Sequence, residues 1–319
     1  MYIRGIGSAL PSKVVTNDDL AQVMDTSDEW IRTRTGIEKR HIAVEETTTS
    51  LAVEAAKKAV EEAKLSIDDL DLIIAATVSS DYIFPTLACE VQAALGAKHA
   101  TAFDQSAGCS GFLYALATAD AYFRTGRYKN ALVIGAETLS KMMDWGDRST
   151  CVLFGDGAGA AVVSAEGNQL LSMVQGSDGA GGMALKCDNR PVNNLYHQLG
   201  AQHYSFTQMD GQAVYKFAVR VVPNAISEAL EKAEVPVAEV DWFLLHQANI
   251  RIIESVAKRL NQPMDKFPTI LQEYGNISAA SIPILLDKVW KEGKIHKGDK
   301  IVLAGFGAGL TWGACVLEW

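Results

Sequence analysis

The sequence predicts an α/β protein built from two related halves, and three observations predict it. Strand-like apolar runs alternate with helical patterns, the order expected where strands and covering helices take turns. Leu65–Thr77 lines up with Val235–Gln247, each a turn, an aspartate and then an apolar run, and Asp71 answers to Asp241 at an offset of 170 residues. Ala131–Gly135 matches Ile301–Gly305 at the same offset, which favours duplication over two generic α/β segments. The 319 residues, 48% hydrophobic, suffice for two domain-sized halves, expected at 1–170 and 171–319.

The elements are expected in the following order. Leu51–Lys64 carries a helical apolar period, and Asp71–Ser79 is a continuous apolar run of strand length. Phe84–Leu95 and Ser110–Arg124 are helices, the second apolar enough to be buried. Ala131–Ala136 and Gly159–Ser164 are strands. Gly176 to Gly182, with the polar residues up to about His203, form a long excursion between the halves. Gln212–Ala233 is a helix that should kink or break at Pro223, where an N–H is missing. Asp241–Leu245 is a strand, Ile250–Leu260 and Ala279–Trp290 are helices, and Lys300–Ala304 and Ala314–Glu318 close the second half as strands. Gly155–Ala160 and Gly305–Leu310 both fail G-x-G-x-x-G, and no Gly-Lys-Ser/Thr occurs. They are expected as tight turns rather than nucleotide loops.

No apolar run approaches the ~18 residues of a membrane span, and Met1–Gly5 has no secretory apolar core, so a cytoplasmic protein is expected. Cysteines at 89, 109, 151, 187 and 315 form no C-x-x-C pair, which predicts neither a disulfide framework nor a metal site. The net charge of −9 disfavours nucleic acid, and an acidic partner would need a local basic patch.

Cys109 stands in Ser106-Ala-Gly-Cys-Ser-Gly111, directly before the apolar helix pattern Phe112 to Phe123. A thiol at a helix N-terminus meets unpaired N–H groups and the positive dipole end, which favour thiolate. Taken alone, Cys109 reads as a small buried hydrophobe. His246, in His-Gln-Ala-Asn, and Asn276, in Gly-Asn-Ile-Ser-Ala-Ala-Ser, each follow a different element of the second half. Packing about a pseudo-twofold would bring all three together.

With Thr26–Gly36, Ala107–Phe112, Asp147–Ala160, His246–Arg251, Gly275–Ala280 and Gly305–Gly313 in order, the chain resembles the β-ketoacyl-acyl carrier protein synthase III family of condensing enzymes from Gly5 to Trp319. The resemblance implies a thiolase-like five-layered αβαβα fold and a homodimer, with no permanently bound cofactor. It implies that Cys109 takes an acyl group from acyl-CoA, and that His246 and Asn276 hold the malonyl thioester carbonyl of malonyl-acyl carrier protein. Fixed N–H donors suit the enolate formed on decarboxylation, which attacks acyl-Cys109 to give 3-ketoacyl product. A second oxyanion hole is implied at the backbone N–H of Cys109 and of the Gly307-Ala308 turn. Trp30 and Arg148 are implied to flank the adenine of coenzyme A, Arg34 to bind its nucleotide end, and Gly211 and Asn249 to line the pantetheine tunnel. Gln212 departs from the family pattern, where a shorter Asn is common at this position. Phe84 matches a residue that closes the acyl pocket of the partner subunit.

Lys216, Arg251, Lys258 and Arg259 make a basic patch, the last three near one helix face. By itself this is equally a solvated surface. The resemblance makes it a docking site for the acidic acyl carrier protein, centred on Gln247, Ala248, Asn249, Ile250 and Arg251. His41, His99, His197, His203 and His296 have no ligand spacing, and Cys89, Cys151, Cys187 and Cys315 are expected to be structural. Rival functions are a polyketide-type synthase, an acyltransferase that does not decarboxylate, a silent partner of the carrier protein, and a cysteine hydrolase. The length of acyl primer is not legible.

Overall fold

The computed structural model describes residues 1–167, 169–200 and 205–319, so His203 lies outside the described residues. Its first sheet holds five strands, β1 Tyr2–Ala9, β2 Leu72–Ala76, β3 Thr101–Gln105, β4 Asn130–Thr138 and β5 Asp156–Ser164, in the order β1-β5-β4-β2-β3. The second holds four, β6 Leu170–Ser177, β7 Trp242–Leu245, β8 Lys300–Gly307 and β9 Thr311–Glu318, in the order β7-β8-β9-β6. The chain changes sheet between Ser164 and Leu170.

Pairing repeats from one sheet to the other. β2 is parallel to β4, β4 antiparallel to β5, and β5 antiparallel to β1. β7, β8, β9 and β6 repeat that pattern in that order. β3 adds a fifth, parallel strand beside β2.

Seven longer helices cover these sheets: α1 Asp28–Thr35, α2 Thr48–Ala63, α3 Leu87–Leu95, α4 Gly111–Phe123, α5 Gly211–Ala233, α6 Ile250–Arg259 and α7 Ser281–Lys291. The 170-residue offset carries into three dimensions. The 3-10 turn Gly108–Ser110 leading into α4 answers to the turn Ser278–Ala280 leading into α7. The left-handed backbone repeats as well, with φ of 52° at Gly108 and 45° at Ser278.

Three apolar clusters define five layers. Ala52, Ala55, Ala56 and Ala59 of α2 and Leu87 and Val91 of α3 pack on one face of the first sheet. Phe112, Leu113 and Leu116 of α4 and Ile282, Leu285 and Leu286 of α7 fill the space between the sheets. α5 and α6 cover the far face of the second sheet. Leu20, Ile31, Leu139 and Phe154 of the N-terminal half join that last cluster, so each half borrows part of its core from the other. α4 is buried on nearly every side, which explains why its sequence lacks a polar stripe, whereas α7 exposes only Lys291 at its end.

The expected break at Pro223 does not occur, and α5 runs from Gly211 to Ala233 with Pro223 inside it. Pro223 cannot donate to Val219 O, four residues back. Arg259 Nη1 of α6 donates to that oxygen instead, at 2.8 Å.

Candidate active site

Cys109 lies in the 3-10 turn Gly108–Ser110, one turn ahead of α4, and is 8% exposed. Burial pushes its thiol up to about 12 and the Glu137 carboxylate adds to the rise, while the Ser278 hydroxyl opposes it. That rise from desolvation runs against the thiolate expected at the helix terminus.

Gly307 at the end of β8 must be glycine. A Cβ there would stand 2.4 Å from the Cys109 nitrogen, so the β8–β9 turn lies flush against the nucleophile. Ala308 follows outside the left-handed region, with its N–H retained. A Cβ on Gly108 would meet that nitrogen at 2.7 Å.

His246, just past β7, is fixed by its backbone N–H on Ala304 O at 2.8 Å and by an edge-on contact with Phe306, 5.5 Å between ring centres. Burial holds it down at about 3, so the imidazole is neutral, and neither ring nitrogen has a partner among the described residues. Asn276 is held by N–H to Leu153 O at 2.9 Å and by Gly155 N–H to its own carbonyl at 3.0 Å. Its side-chain Oδ1 accepts from Ser278 N at 2.9 Å. That bond fixes the amide rotamer and leaves Nδ2 as a donor.

One cavity of about 390 Å³ is lined by Cys109, His246, Asn276 and Gly307 together with Arg34, Gly211, Asn249 and Tyr215. A second, of about 740 Å³, also reaches Cys109 and runs between Leu139, Met142, Phe154 and the Tyr82–Phe84 loop. The nucleophile thus sits where two cavities meet. Phe84 is 83% exposed, with Tyr82 and Ile83 beside it also exposed, so it is not packed in its own subunit.

Trp30 and Arg148 are absent from the lining of either cavity. Arg148 Cζ lies 5.0 Å from the Trp30 ring centre and Arg34 Cζ 4.6 Å from it. A base stacked between Trp30 and Arg148 needs about 7 Å, two van der Waals contacts. Arg148, held to Asp25, must swing out to admit one. Asn249 lines the smaller cavity and also caps α6, with Oδ1 on Arg251 N at 2.9 Å and Nδ2 on Arg34 O at 3.0 Å.

The chain is 50% identical over 320 residues to β-ketoacyl-[acyl-carrier-protein] synthase III 1 of Bacillus anthracis, covering 99% of this chain and 98% of that one. The 3-oxoacyl-[acyl-carrier-protein] synthase III model matches 103–190, and the model of its C-terminal part matches 230–319. The chain belongs to the β-ketoacyl-acyl carrier protein synthase III family. The crystal structure of 3-oxoacyl-[acyl-carrier-protein] synthase III from Aquifex aeolicus VF5 superposes with a TM-score of 0.93 at 49% identity, covering 100% of this chain and 99% of that one. The priming β-ketosynthase of the R1128 polyketide pathway superposes at 0.92 with 34% identity, covering 99% and 95%. The thiolase-like fold expected from sequence is the observed one, and the enzyme is a condensing acyltransferase.

The docking patch needs one correction. Gln247 is fully buried, with Nε2 on Leu245 O at 2.8 Å and Oε1 accepting from Ile270 N at 2.9 Å, so it cannot touch a partner. Lys216 and Lys258 are exposed on the packed pair α5 and α6, whereas Arg251 Nη2 is engaged with Thr33 O at 2.8 Å and Arg259 with Val219 O. Ala248 and Ile250 are half-buried. All five cysteines are free, and Cys315 is buried in β9 opposite Leu303. Sequence reasoning missed Glu137 and Ser278, although Ser278 stands in the motif that carries Asn276.

Proposed function

We propose that Cys109 attacks acyl-CoA and carries the acyl group, and that His246 and Asn276 then bind the malonyl thioester carbonyl of malonyl-acyl carrier protein and stabilise its enolate on loss of carbon dioxide. The carbanion attacks acyl-Cys109 to give 3-ketoacyl-acyl carrier protein, the first condensation of fatty acid synthesis. The observation that carries this reading is a neutral His246 with no hydrogen-bond partner among the described residues and an Asn276 whose Oδ1 is taken by Ser278 N, leaving Nδ2 to donate, both lining one cavity with a thiol. Donors fixed by the fold and left free for a ligand can meet charge that develops only during reaction. The tetrahedral oxyanion on the acyl group falls to the N–H groups of Cys109 and the Gly307-Ala308 turn. Coenzyme A serves as substrate carrier, with its pantetheine in the cavity lined by Gly211 and Asn249 and its nucleotide at Arg34, Trp30 and Arg148. A homodimer, with Phe84 closing the larger cavity of the partner subunit, accounts for the exposed Tyr82–Phe84 loop.

His246→Ala and Asn276→Ala should both still gain an acyl adduct on Cys109, and both should lose carbon dioxide release from malonyl-acyl carrier protein by about 10²-fold or more. Intact mass and carbon dioxide release are measured on the same preparations. A His246→Ala enzyme that cannot be acylated but still decarboxylates would make the imidazole a base for Cys109 and overturn this division.

A further inference from the structure

The two N–H groups assigned to the acyl oxyanion come from different halves of the chain, and they must be held in register. Cys109 N belongs to the turn Gly108–Ser110, and Ala308 N to the turn between β8 and β9. Where the turns meet, both present glycine: a Cβ on Gly307 would stand 2.4 Å from Cys109 N, and one on Gly108 2.7 Å from Ala308 N. Glycine permits this approach, but it also leaves the backbone freer to move. Among the described residues no backbone hydrogen bond crosses the seam between the two turns. The bonds that cross it come from two hydroxyls.

Thr311, the first residue of β9, places Oγ1 2.7 Å from Ser110 Oγ, 2.9 Å from Ala107 O and 3.0 Å from Ala308 O. Ser110, which is 0% exposed, has its Oγ 2.8 Å from Ala107 O. Two hydroxyl protons serve these four contacts. One of them fills the contact between the hydroxyls, which runs from one turn to the other, so the seam is bonded whichever oxygen donates. The Thr311 hydroxyl thus stands against the carbonyl two residues before Cys109 and the carbonyl of the residue that supplies the second N–H. The far end of the β8–β9 turn is pinned separately, by Leu310 N–H on Asp178 O at 3.0 Å and Asp178 N–H on Leu310 O at 2.8 Å. Thr311 fixes the end beside the nucleophile.

We infer that Thr311 is a positioning residue for acyl transfer, its hydroxyl setting the spacing of the Cys109 and Ala308 N–H groups that receive the acyl oxyanion. The inference rests on Cys109 being the acyl acceptor and on those N–H groups forming its oxyanion hole. When Sγ adds to the thioester carbon, the carbonyl electron pair moves onto oxygen. It returns as the carbon–sulfur bond to coenzyme A breaks, with that bond's pair leaving on the coenzyme A sulfur. The negative oxygen exists only between those events, so donors set slightly too wide lose much of their effect on the rate. The malonyl enolate is met instead by His246 and Asn276, to which Thr311 makes no hydrogen bond. Alkylation of Cys109 by iodoacetamide is a displacement at saturated carbon that forms no oxyanion, and it reads the sulfur alone.

The test is Thr311→Val, which keeps the shape and removes the hydroxyl, beside Thr311→Ser, which keeps the hydroxyl. Ser110 retains Ala107 O as a partner in both. Three rates are measured on each protein and on the unaltered enzyme. They are the gain of acyl mass on Cys109 from acetyl-, isobutyryl- or hexanoyl-CoA, whichever loads the unaltered enzyme fastest, alkylation by iodoacetamide, and carbon dioxide release from malonyl-acyl carrier protein. Thr311→Val should slow acyl transfer at saturating acyl-CoA by about tenfold or more, and should leave the half-saturating concentration, alkylation and carbon dioxide release within about twofold. Thr311→Ser should recover most of the loss. Undiminished acyl transfer in Thr311→Val overturns the inference. So does a loss shared by all three rates, or one that Thr311→Ser fails to recover, since either is a general disturbance of the fold. Should Thr311→Val fail to fold, Thr311→Ala decides by the same criteria. If the unaltered enzyme gains no adduct, the assignment of Cys109 as acyl acceptor falls and the positioning role falls with it.

Discussion

Glu137 is a carboxyl raised from 4.5 to about 7 by burial, so folding favours its protonated form. The stability it contributes is complete below pH 4.5 and is lost as pH rises through 7, by on the order of 3 kcal/mol if the whole shift is realised. Glu137→Gln should therefore flatten the decline of Tm across that window, as thermal melts of both proteins would show; equal slopes would mean that the carboxyl finds solvent. His246 shifts the other way, from 6.5 down to about 3, because burial resists its charging. It stays neutral as pH falls through 6.5. Decarboxylation of malonyl-acyl carrier protein should accordingly show no inflection at that pH, and a pH–rate profile with a break near 6.5 would place His246 in contact with water. Neutral imidazole and a fixed amide are donors at any pH the fold survives, which suits groups that stabilise an enolate.

Pairs of elements show which features the sequence made legible. The 170-residue repeat was visible because the segments before β2 and β7, and the apolar runs of β4 and β8, recur with the same turn chemistry. β1 and β3 were not: glycines at 5 and 7 interrupt the first, and Thr101, Asp104 and Gln105 give the second a polar look. Cys109, His246 and Asn276 were legible because each stands in a local motif. Glu137 was not, since a polar residue ending an apolar strand reads as solvent-facing, and its burial depends on a turn contributed by the other half. Pro223 misled for a related reason, because the partner of the carbonyl it leaves unbonded is on α6. A double-mutant cycle tests that account. Arg259→Ala should cost about 1 kcal/mol in urea unfolding, and the cost should largely vanish in Pro223→Ala, where the helix again bonds Val219 O. Additive losses would assign Arg259 some other contact.

Across the whole molecule the net charge is −9, yet exposed Lys216 and Lys258 stand on α5 and α6, the two helices whose first turns line the smaller cavity. Lys258→Glu should raise KM for malonyl-acyl carrier protein severalfold, with a weaker salt dependence, and leave KM for acyl-CoA unchanged. A parallel rise in both constants would argue against a separate docking surface. The layer shared by α4 and α7 has a further consequence during synthesis. Until residues 171–319 have been made, Phe112, Leu113 and Leu116 have only one sheet to cover them. At roughly 5–20 residues per second, that interval lasts on the order of ten seconds. The nascent first half therefore leaves the ribosome with the apolar side of its nucleophile-bearing helix open, and chaperone occupancy should peak over that window and end when α7 docks.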